Sequence, residues 1–319
     1  MMSQLILAVP SKGRLEENAA GIFARAGMPL KRAGARGYQG RLSGMDTVDV
    51  LYLSASEIAA RLREGSIHFG ITGEDLLREE IPDLDSAVQL VQPLGFGYAD
   101  VVVALPDGWV DVTCMADLAE VAGAFRAEHN KRLRVATKYT HLTAEYFARY
   151  GVVDYVLVQS FGATEGAPAS GAAEVIVDIT STGATLAANN LRVPEDGVIL
   201  MSQANLAAAL RANWSPEARG AAKQILAGLS AYQQAMERLV VSFMVDTKDA
   251  ALFNDFGLDG SRRMVGQGKT YFDLVIEKSS LQLVQAGLSP KQIGMTVSKP
   301  DFIFSPRNEL YERLAGAIF

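Results

Sequence analysis

Asp178 and the turn that follows it have the residue types and spacing of a site for a sugar phosphate. The turn consists of Ser181, Thr182, Gly183, Ala184 and Thr185, between a predicted buried strand and a predicted helix. Backbone N–H groups at a helix start bind phosphate oxygens, and a glycine lets the main chain approach the ligand closely. A carboxylate at the end of the strand can accept hydrogen bonds from the two hydroxyls of a ribose. An ordinary turn with Thr182 as the helix N-cap explains the same pattern, so other segments must decide.

A turn at 10–15 contains two cations around a glycine. Lys12, Gly13 and Arg14 follow a predicted strand and precede a helix that is expected to begin near Leu15. Two positive charges at this place suit the oxygens of a polyphosphate, and a solvated surface turn explains them equally well. The turn alone therefore leaves both interpretations open.

A third turn, at 70–77, contains Gly73 and Asp75. An apolar strand precedes it, and a helix is predicted to follow. Asp75 is either an acceptor that faces a ligand or, together with Thr72, part of a capping box that only stabilises the helix start. The pattern does not separate these alternatives.

Two other segments offer a cation, an aromatic ring and an acid. Lys138 and Tyr139 end the segment 134–139, where Lys138 supplies charge and Tyr139 either lines a base pocket or packs in the core. The glycine-rich loop 160–168 contains Glu165, and such loops either bind ligands or merely connect elements. These residues are candidates for the nucleotide side of a site.

Composition excludes several classes of protein. The 319 residues are 49% apolar and 21% charged, with a formal net charge of −6. Since no run of Lys or Arg exceeds two residues, we expect no nucleic-acid partner and no membrane partner. Residues 1–10 contain neither a basic n-region nor a membrane-length apolar run, so the expected location is the cytoplasm. Cys114 is the single cysteine, which excludes an internal disulfide, and no metal-ligand spacing is present.

The elements that must position these residues alternate between strands and helices. Strands are predicted at 5–9, 48–53, 67–71, 99–105, 133–136, 155–159, 174–179 and 198–201, with helices between most of them. This order predicts an α/β architecture with largely parallel sheets. Such sheets bind ligands at the C-terminal ends of their strands, which is where the segments described above lie.

Taken in order, these segments resemble the ATP phosphoribosyltransferase family, which catalyses the first step of histidine biosynthesis. The matching segments are 10–15, 70–77, 134–139, 165–168 and 178–189. The resemblance implies an α/β fold with a two-lobed catalytic region like the type II periplasmic binding proteins, and a smaller α+β C-terminal domain. The implied boundaries are 1–95 with 190–218 for lobe I, 96–189 for lobe II with its phosphoribosyl-binding loop, and 219–319 for a regulatory or oligomerisation domain.

The resemblance also implies a reaction and the residues that carry it out. N1 of the adenine of ATP attacks C1 of 5-phosphoribosyl 1-pyrophosphate (PRPP) and releases pyrophosphate, a glycosyl transfer through an oxocarbenium-like centre. Asp178 would hold the ribose hydroxyls, and the turn 181–185 would hold the 5-phosphate. The implied ATP-binding residues are Lys12, Gly13, Arg14, Gly73, Asp75, Lys138, Tyr139 and Glu165, and the implied catalytic residues are Asp178, Lys12 and Arg14. Mg²⁺ would accompany the pyrophosphate, with no protein residue as a direct metal ligand.

Two departures from the family pattern bear on these assignments. The family has basic residues after the strand at 48–53, whereas the segment 54–58 of this chain has none. We expect the missing cationic contacts to come from Arg36, Arg41, Arg61 or Arg63. His68 stands where the family carries an acid, and we expect an isolated histidine in a strand to be structural.

The last third of the sequence predicts a further domain after a polar turn and long helix within 213–236. Its predicted elements are strands at 239–245, 262–266, 293–297 and 301–304, and helices at 248–256, 271–286 and 309–318. Long-form family members have an ACT-like domain here that assembles hexamers and binds histidine, and this tail predicts one strand too few for it. Short-form members depend on a separate regulatory subunit. The implied partners are ATP and PRPP, further copies of the chain in a dimer or hexamer, histidine as a feedback inhibitor, and a regulatory subunit.

Three other functions fit parts of the pattern. A solute receptor shares the two-lobed fold, but residues 1–10 show no export signal and the turn suits phosphate rather than an amino acid. A phosphoribosyltransferase for another base places two adjacent acids before its phosphate turn, whereas Asp178 stands alone. A phosphate- or nucleotide-binding regulatory module without catalysis is the third alternative, if the basic residues absent from 54–58 are required.

Overall fold

The computed structural model describes residues 4–34, 37–160, 162–253 and 262–318 of the chain. The strands are β1 (Leu5–Pro10), β2 (Leu30–Arg32), β3 (Gln39–Leu42), β4 (Met45–Leu53), β5 (Phe69–Gly73), β6 (Val88–Pro93), β7 (Asp100–Pro106), β8 (Leu133–Thr137), β9 (Tyr155–Gln159), β10 (Val175–Thr180), β11 (Leu191–Arg192), β12 (Val198–Leu200), β13 (Ala204–Ala209), β14 (Arg238–Asp246), β15 (Arg262–Gly266), β16 (Lys269–Glu277) and β17 (Met295–Ser298). The helices are α1 (Gly13–Arg25), α2 (Ala55–Glu64), α3 (Glu74–Glu80), α4 (Leu84–Ala87), α5 (Met115–His129), α6 (Thr140–Arg149), α7 (Ala184–Ala188), α8 (Pro216–Glu237), α9 (Leu281–Leu288) and α10 (Glu309–Ile318). Short 3₁₀ turns lie at Thr164–Gly166, Thr247–Phe253, Lys278–Ser280 and Ser289–Lys291.

The first large sheet has a parallel centre and antiparallel margins. Its strand order is β2-β3-β4-β1-β5-β13-β6. Strands β4, β1 and β5 run parallel, with Leu5 opposite Val48 and Leu7 opposite Phe69. Strands β2, β3, β13 and β6 pair antiparallel with their neighbours. The chain leaves this sheet after β6 and returns to it as β13, after the second large sheet has formed.

The second large sheet has the order β11-β7-β10-β8-β9, and β12 also pairs with β7. Strand β10 runs parallel to β8 and antiparallel to β7, with Asp178 opposite Val102. The prediction of largely parallel sheets is therefore correct for β4-β1-β5 and for β10-β8-β9 and wrong for the other strand pairs. Antiparallel neighbours need no crossover helix, so strands that follow one another closely, such as β2 and β3, can pair directly.

Helices cover the apolar faces of both sheets. Buried side chains cluster around Ile58 and Leu62 of α2, around Leu118 of α5 and Phe147 of α6, and around Leu186 of α7. Every strand predicted between residues 5 and 201 is present, with its ends shifted by a few residues. Strand β13 was not predicted, because its alanines favour helix in isolation, but all its residues are buried in the sheet.

The C-terminal sheet has the order β15-β16-β14-β17, and its buried side chains alternate along β14 and β16. The prediction of a helix at 271–286 is wrong for its first half, because the alternating residues of Lys269–Glu277 form strand β16 before α9 begins. Strand β16 was not among the predicted strands, and the sheet has four strands, as many as were predicted for the tail. The predicted strand at 301–304 is not formed. The predicted helix at 248–256 is a 3₁₀ turn at Thr247–Phe253, and its last residues lie outside the described part.

By contacts, the chain divides into two compact units. One comprises Met1–Gly21, Leu30–Ala221 and Leu314–Phe319 and contains both large sheets; the other comprises Ile22–Pro29 and Ala222–Arg313 and contains the four-stranded sheet. The predicted fold class, a two-lobed α/β region with a smaller α+β domain, is confirmed. The domain boundaries given above stay predictions. Among the described residues, no helix is both long and apolar enough to cross a membrane.

Candidate functional site

Strand β10 and the turn after it border a cavity of about 310 Å³. Its lining residues are Glu165, Asp178, Ile179, Thr180, Ser181, Thr182, Thr185 and Leu186. The structure thus brings together the predicted ribose acceptor, the predicted phosphate-binding hydroxyls and the acid of the 160–168 loop. Carboxylates and hydroxyls on one concave surface can hold a polar ligand that carries hydroxyl and phosphate groups.

The hydroxyls of Thr180, Ser181 and Thr182 hold the turn in place. The Gly183 N–H donates to Thr180 Oγ1 (2.8 Å), the Ala184 N–H donates to Thr182 Oγ1 (3.4 Å), and the Ser181 hydroxyl donates to the Tyr98 carbonyl (2.8 Å). Gly183, with φ of 72°, is the N-cap residue of α7, so the alternative with Thr182 as N-cap is wrong. A phosphate at this helix start would meet the same N–H groups. Thr180 was missed by sequence analysis because it ends the strand rather than standing in the turn.

Asp178 keeps part of its carboxylate available for a ligand. The residue is half-buried, and its Oδ1 atom accepts a hydrogen bond from the Ile179 N–H (2.8 Å). Its Oδ2 atom makes no hydrogen bond with the residues that the structure describes. The carboxylate can therefore accept hydrogen bonds from hydroxyls in the cavity that it lines.

Asp75 lies inside the protein rather than at its surface. Its side chain is 9% exposed; Oδ1 accepts from the Ser202 hydroxyl (2.9 Å) and Oδ2 from the Tyr139 hydroxyl (2.8 Å). The Asp75 N–H also donates to Ser202 Oγ (3.0 Å). Both carboxylate oxygens are thus held by protein groups, one by the Ser202 hydroxyl and one by the Tyr139 hydroxyl.

The capping box considered for this turn is not formed. Helix α3 has Gly73 as its N-cap residue without a side-chain capping bond, and the buried Thr72 hydroxyl donates to the Ala55 carbonyl (3.4 Å) instead. A Cβ atom on Gly73 would lie 2.3 Å from Asp75 Oδ1. A side chain at position 73 would therefore displace the Asp75 carboxylate from the place where its Oδ1 accepts from Ser202.

Tyr139 is a buried phenol surrounded by carboxylates. Burial raises its pKa, and Asp75, Asp178 and Glu79 raise it further by their negative charges. The hydroxyl thus keeps its proton and donates a hydrogen bond to Asp75 Oδ2. The exposed Lys138 carries its ammonium 5.0 Å from the centre of the Tyr139 ring, which is within reach of a cation–π contact.

The two cations of the first turn are exposed. Helix α1 begins at Gly13, two residues earlier than expected; Lys12 directly precedes it and Arg14 lies on its first turn. Neither cation forms an ion pair with any residue in the described part of the chain. Long exposed cations can reorient towards a phosphate-bearing ligand.

Arg32 is a cation near this turn that sequence analysis missed. Its guanidinium donates to the Ser11 carbonyl (3.3 Å) and to Glu16 Oε1 (2.7 Å), and it lies 4.3 Å above the Tyr52 ring. These partners are distant in sequence from Arg32, so no spacing pattern could link them. Arg32 fixes the turn through the Ser11 carbonyl, and its charge is paired with Glu16.

The arginines expected to replace the missing cations have their own partners. Arg41 pairs with Asp49 (2.9 Å), and Arg61 pairs with Glu57 (2.8 Å). Arg63 donates to the Glu80 carbonyl (3.2 Å), and Arg36 lies outside the described residues. Their contribution to the site stays a prediction.

His68 has both ring nitrogens engaged inside the protein. Its Nδ1 accepts from the Ile6 N–H (3.0 Å) and its Nε2 donates to the Asn213 carbonyl (3.0 Å), while the ring meets Trp214 edge-on. Burial lowers the pKa of His68, so the ring is neutral. This is the geometry of a structural histidine. No cluster of three or more His, Cys, Asp or Glu side chains that could hold a metal ion is found within the described residues.

Comparisons with known proteins agree on one family. The family model described as ATP phosphoribosyltransferase matches residues 54–231. An ATP phosphoribosyltransferase of Afipia carboxidovorans is 49% identical over 319 residues, and one of Nitrobacter hamburgensis is 59% identical over 328 residues; each match covers 98% of both chains. Among solved structures, the ATP phosphoribosyl transferase (HisG:HisZ) complex from Thermotoga maritima matches with a TM-score of 0.55 and 23% identity, over 71% of this chain and 96% of that one.

Proposed function

Because this chain belongs to the ATP phosphoribosyltransferase family, we propose that the cavity beside Asp178 binds PRPP. The protein is a pentosyltransferase that moves the phosphoribosyl group from PRPP to N1 of ATP, releases pyrophosphate and so begins histidine biosynthesis. The observation that carries the proposal is the arrangement of Asp178, Glu165 and the turn hydroxyls around one cavity of about 310 Å³.

At the donor side, this chain binds and orients the ribose. Asp178 accepts hydrogen bonds from the ribose hydroxyls, and the turn 181–185 holds the 5-phosphate through N–H groups and hydroxyls. As the bond from C1 to pyrophosphate breaks, positive charge develops at C1, and the nearby Asp178 carboxylate stabilises it. N1 of adenine supplies the electron pair of the new bond. Positioning and electrostatics supply the acceleration, without a general base.

At the nucleotide side, Lys138 and Glu165 contact ATP, and Tyr139 borders the adenine pocket. Asp75 acts there through Tyr139, whose hydroxyl donates to Asp75 Oδ2 (2.8 Å), and the absence of a side chain on Gly73 leaves room for the other carboxylate oxygen. The exposed turn of Lys12, Gly13 and Arg14 faces the oxygens of the triphosphate or of the departing pyrophosphate. Its two cations offset the negative charge that the leaving group gains.

The residues around the cavity fit Mg²⁺ that arrives with pyrophosphate. All polar side chains that line the cavity offer oxygen atoms, the donors that Mg²⁺ prefers, and Asp178 and Glu165 are its two carboxylates. They would hold the ion through its water molecules. When bound, Mg²⁺ supplies positive charge beside the pyrophosphate oxygens.

The partners belong to the proposal as well. The solved relative is a complex of two kinds of subunit, and its matched chain corresponds to 71% of this chain. The extra length here, with its own four-stranded sheet, favours activity without a separate regulatory subunit. We further propose a homo-oligomer, dimer or hexamer, with histidine as feedback inhibitor, in the cytoplasm where ATP and PRPP are available. A noncatalytic regulatory module is not favoured, because relatives of 49% and 59% identity are named for the enzyme.

The experiment is to incubate the purified chain alone with ATP, PRPP and Mg²⁺, with pyrophosphatase to remove the product pyrophosphate. Phosphoribosyl-ATP, identified by mass and absorbance, is the expected result. A folded chain that binds either substrate and yields no product would contradict the proposal of self-sufficiency. Product that forms only after a regulatory subunit is added would support the proposed reaction and contradict activity without that subunit.

A further inference from the structure

Glu79 of α3 caps a helix other than its own. One carboxylate oxygen accepts from the Thr140 hydroxyl (3.1 Å) and the His141 N–H (3.0 Å), and the other accepts from the Leu142 N–H (3.0 Å). These donors belong to the first turn of α6, whose N-cap residue, Tyr139, makes no side-chain capping bond. A negative charge is favourable there, because the free N–H groups and the helix dipole are positive. Glu79 therefore fixes where α6 begins.

The residues that Glu79 holds come directly after Lys138 and Tyr139. Asp75 lies four residues before Glu79 on α3, so the two carboxylates share one helix face. Asp75 holds the Tyr139 hydroxyl at 2.8 Å. Tyr139 is thus fixed at its ring by Asp75 and at its backbone by the helix start that Glu79 caps.

We propose that Glu79 is a positioning residue for ATP, acting through Lys138 and Tyr139 without touching the nucleotide. The inference rests on the proposed function, in which those two residues border the ATP site. Lys138 extends from the same turn, with its ammonium 5.0 Å from the Tyr139 ring centre. A shift of the first turn of α6 would move the ring and the cation together, whereas the cavity beside Asp178 is built from β10 and its own turn.

The test compares Glu79→Gln with Glu80→Gln. Both variants lose one negative charge from α3, but the Glu80 side chain is exposed at the helix end, whereas that of Glu79 accepts three hydrogen bonds. A glutamine at 79 keeps the length of the side chain and only one oxygen acceptor. The measurements are the KM of each substrate with the other saturating, kcat and the melting temperature.

We expect Glu79→Gln to raise the KM for ATP about five- to tenfold, with the KM for PRPP unchanged within about twofold. Glu80→Gln should match the wild type in both constants. A lower melting temperature with an unchanged KM for ATP would show a structural role only and would overturn the proposal. Equal increases in both KM values would overturn it as well.

A second variant keeps the test decisive if Glu79→Gln does not fold. Thr140→Val removes one of the three hydrogen bonds and should raise the KM for ATP about two- to threefold, again without a change for PRPP. An unchanged KM for ATP in this variant would count against the proposal. Failure of the proposed function looks different, because the wild type and Glu80→Gln would then form no phosphoribosyl-ATP either.

Discussion

The two turns proposed to bind phosphate groups are built in opposite ways. In the turn 181–185, short side chains bond back to the backbone, and Gly183 and Ala184 already donate to threonine hydroxyls. In the turn at 12–14, long cations extend into solvent and form no ion pair with any described residue. The first turn is therefore organised before its ligand binds, whereas the second depends on the ligand for its order. Substitutions should expose this difference as effects on folding, on binding, or on both.

The largest effect is expected from Asp178→Ala. Loss of two charge-assisted hydrogen bonds to the ribose, each contributing about 1.5–3 kcal/mol, should lower kcat/KM by about 10²–10⁴-fold. The melting temperature should stay close to that of the wild type, since the carboxylate makes one hydrogen bond, to the adjacent N–H. Steady-state kinetics and thermal unfolding measure the two quantities.

Asp111→Ala is the matched control for that substitution. Asp111 is an exposed carboxylate that does not line the cavity, so its removal should leave kcat/KM unchanged. If Asp178→Ala kept normal activity and normal stability, the organised turn would not be the ribose site. The comparison would then no longer be one between two ligand-binding turns.

Lys12→Ala and Arg14→Ala test the turn that is ordered by its ligand. Each should raise the KM for ATP or PRPP about five- to twentyfold, because a cation that meets phosphate oxygens forms strong hydrogen bonds only in the complex. Neither should change the melting temperature measurably, since exposed side chains without partners contribute little to stability. Lys131→Ala, another exposed cation, is the control and should change neither quantity. A clear loss of stability in Lys12→Ala or Arg14→Ala would mean that this turn is organised in the free protein after all.

How much of each turn the sequence predicted depends on how far apart in the sequence the bonded groups lie. The hydroxyls of Thr180 and Thr182 accept from backbone N–H groups within three residues, so the local pattern contained most of their geometry. The distant Tyr98 carbonyl, to which Ser181 donates, was not predictable. The partners of Asp75 and Arg32 come from remote strands and turns, and only the fold brings Ser202, Tyr139 and Ser11 to them. The resemblance implied that 190–218 returns to lobe I, and β13 does join the first sheet, but the order of the strands was not predictable from the sequence.

Gly183→Ala should affect binding and folding together. A Cβ atom there has open space, so the strain arises from the φ of 72° alone and costs about 1 kcal/mol. We expect a fall of about 2–4 °C in melting temperature and a rise of a few-fold in the KM for PRPP. Gly171→Ala is the matched control, since Gly171 has φ of 70° and equally open space but lies outside the turn whose Thr182 and Thr185 line the cavity. It should show the same thermal loss with an unchanged KM; a rise in the KM for both variants would assign the effect to general strain.

The smallest effect concerns the strand that supports the cationic turn. The buried His68 accepts a hydrogen bond from the Ile6 N–H of β1, and burial lowers its pKa from 6.5. As the pH falls below 6.5, the unfolded chain therefore binds a proton at this histidine more readily than the folded chain does. Its stabilising contribution is complete above pH 6.5 and is lost as the pH falls towards the folded pKa. Asp117, whose pKa hydrogen bonds from Thr113 and Cys114 lower to about 2, does not titrate in that range. The melting temperature of the wild type should therefore fall between pH 7.5 and 5.5 by about 2–4 °C for each kcal/mol lost, and that of His68→Gln should fall less. If the melting temperatures of the wild type and of His68→Gln fell equally over this pH range, His68 would not be the source of the acid sensitivity.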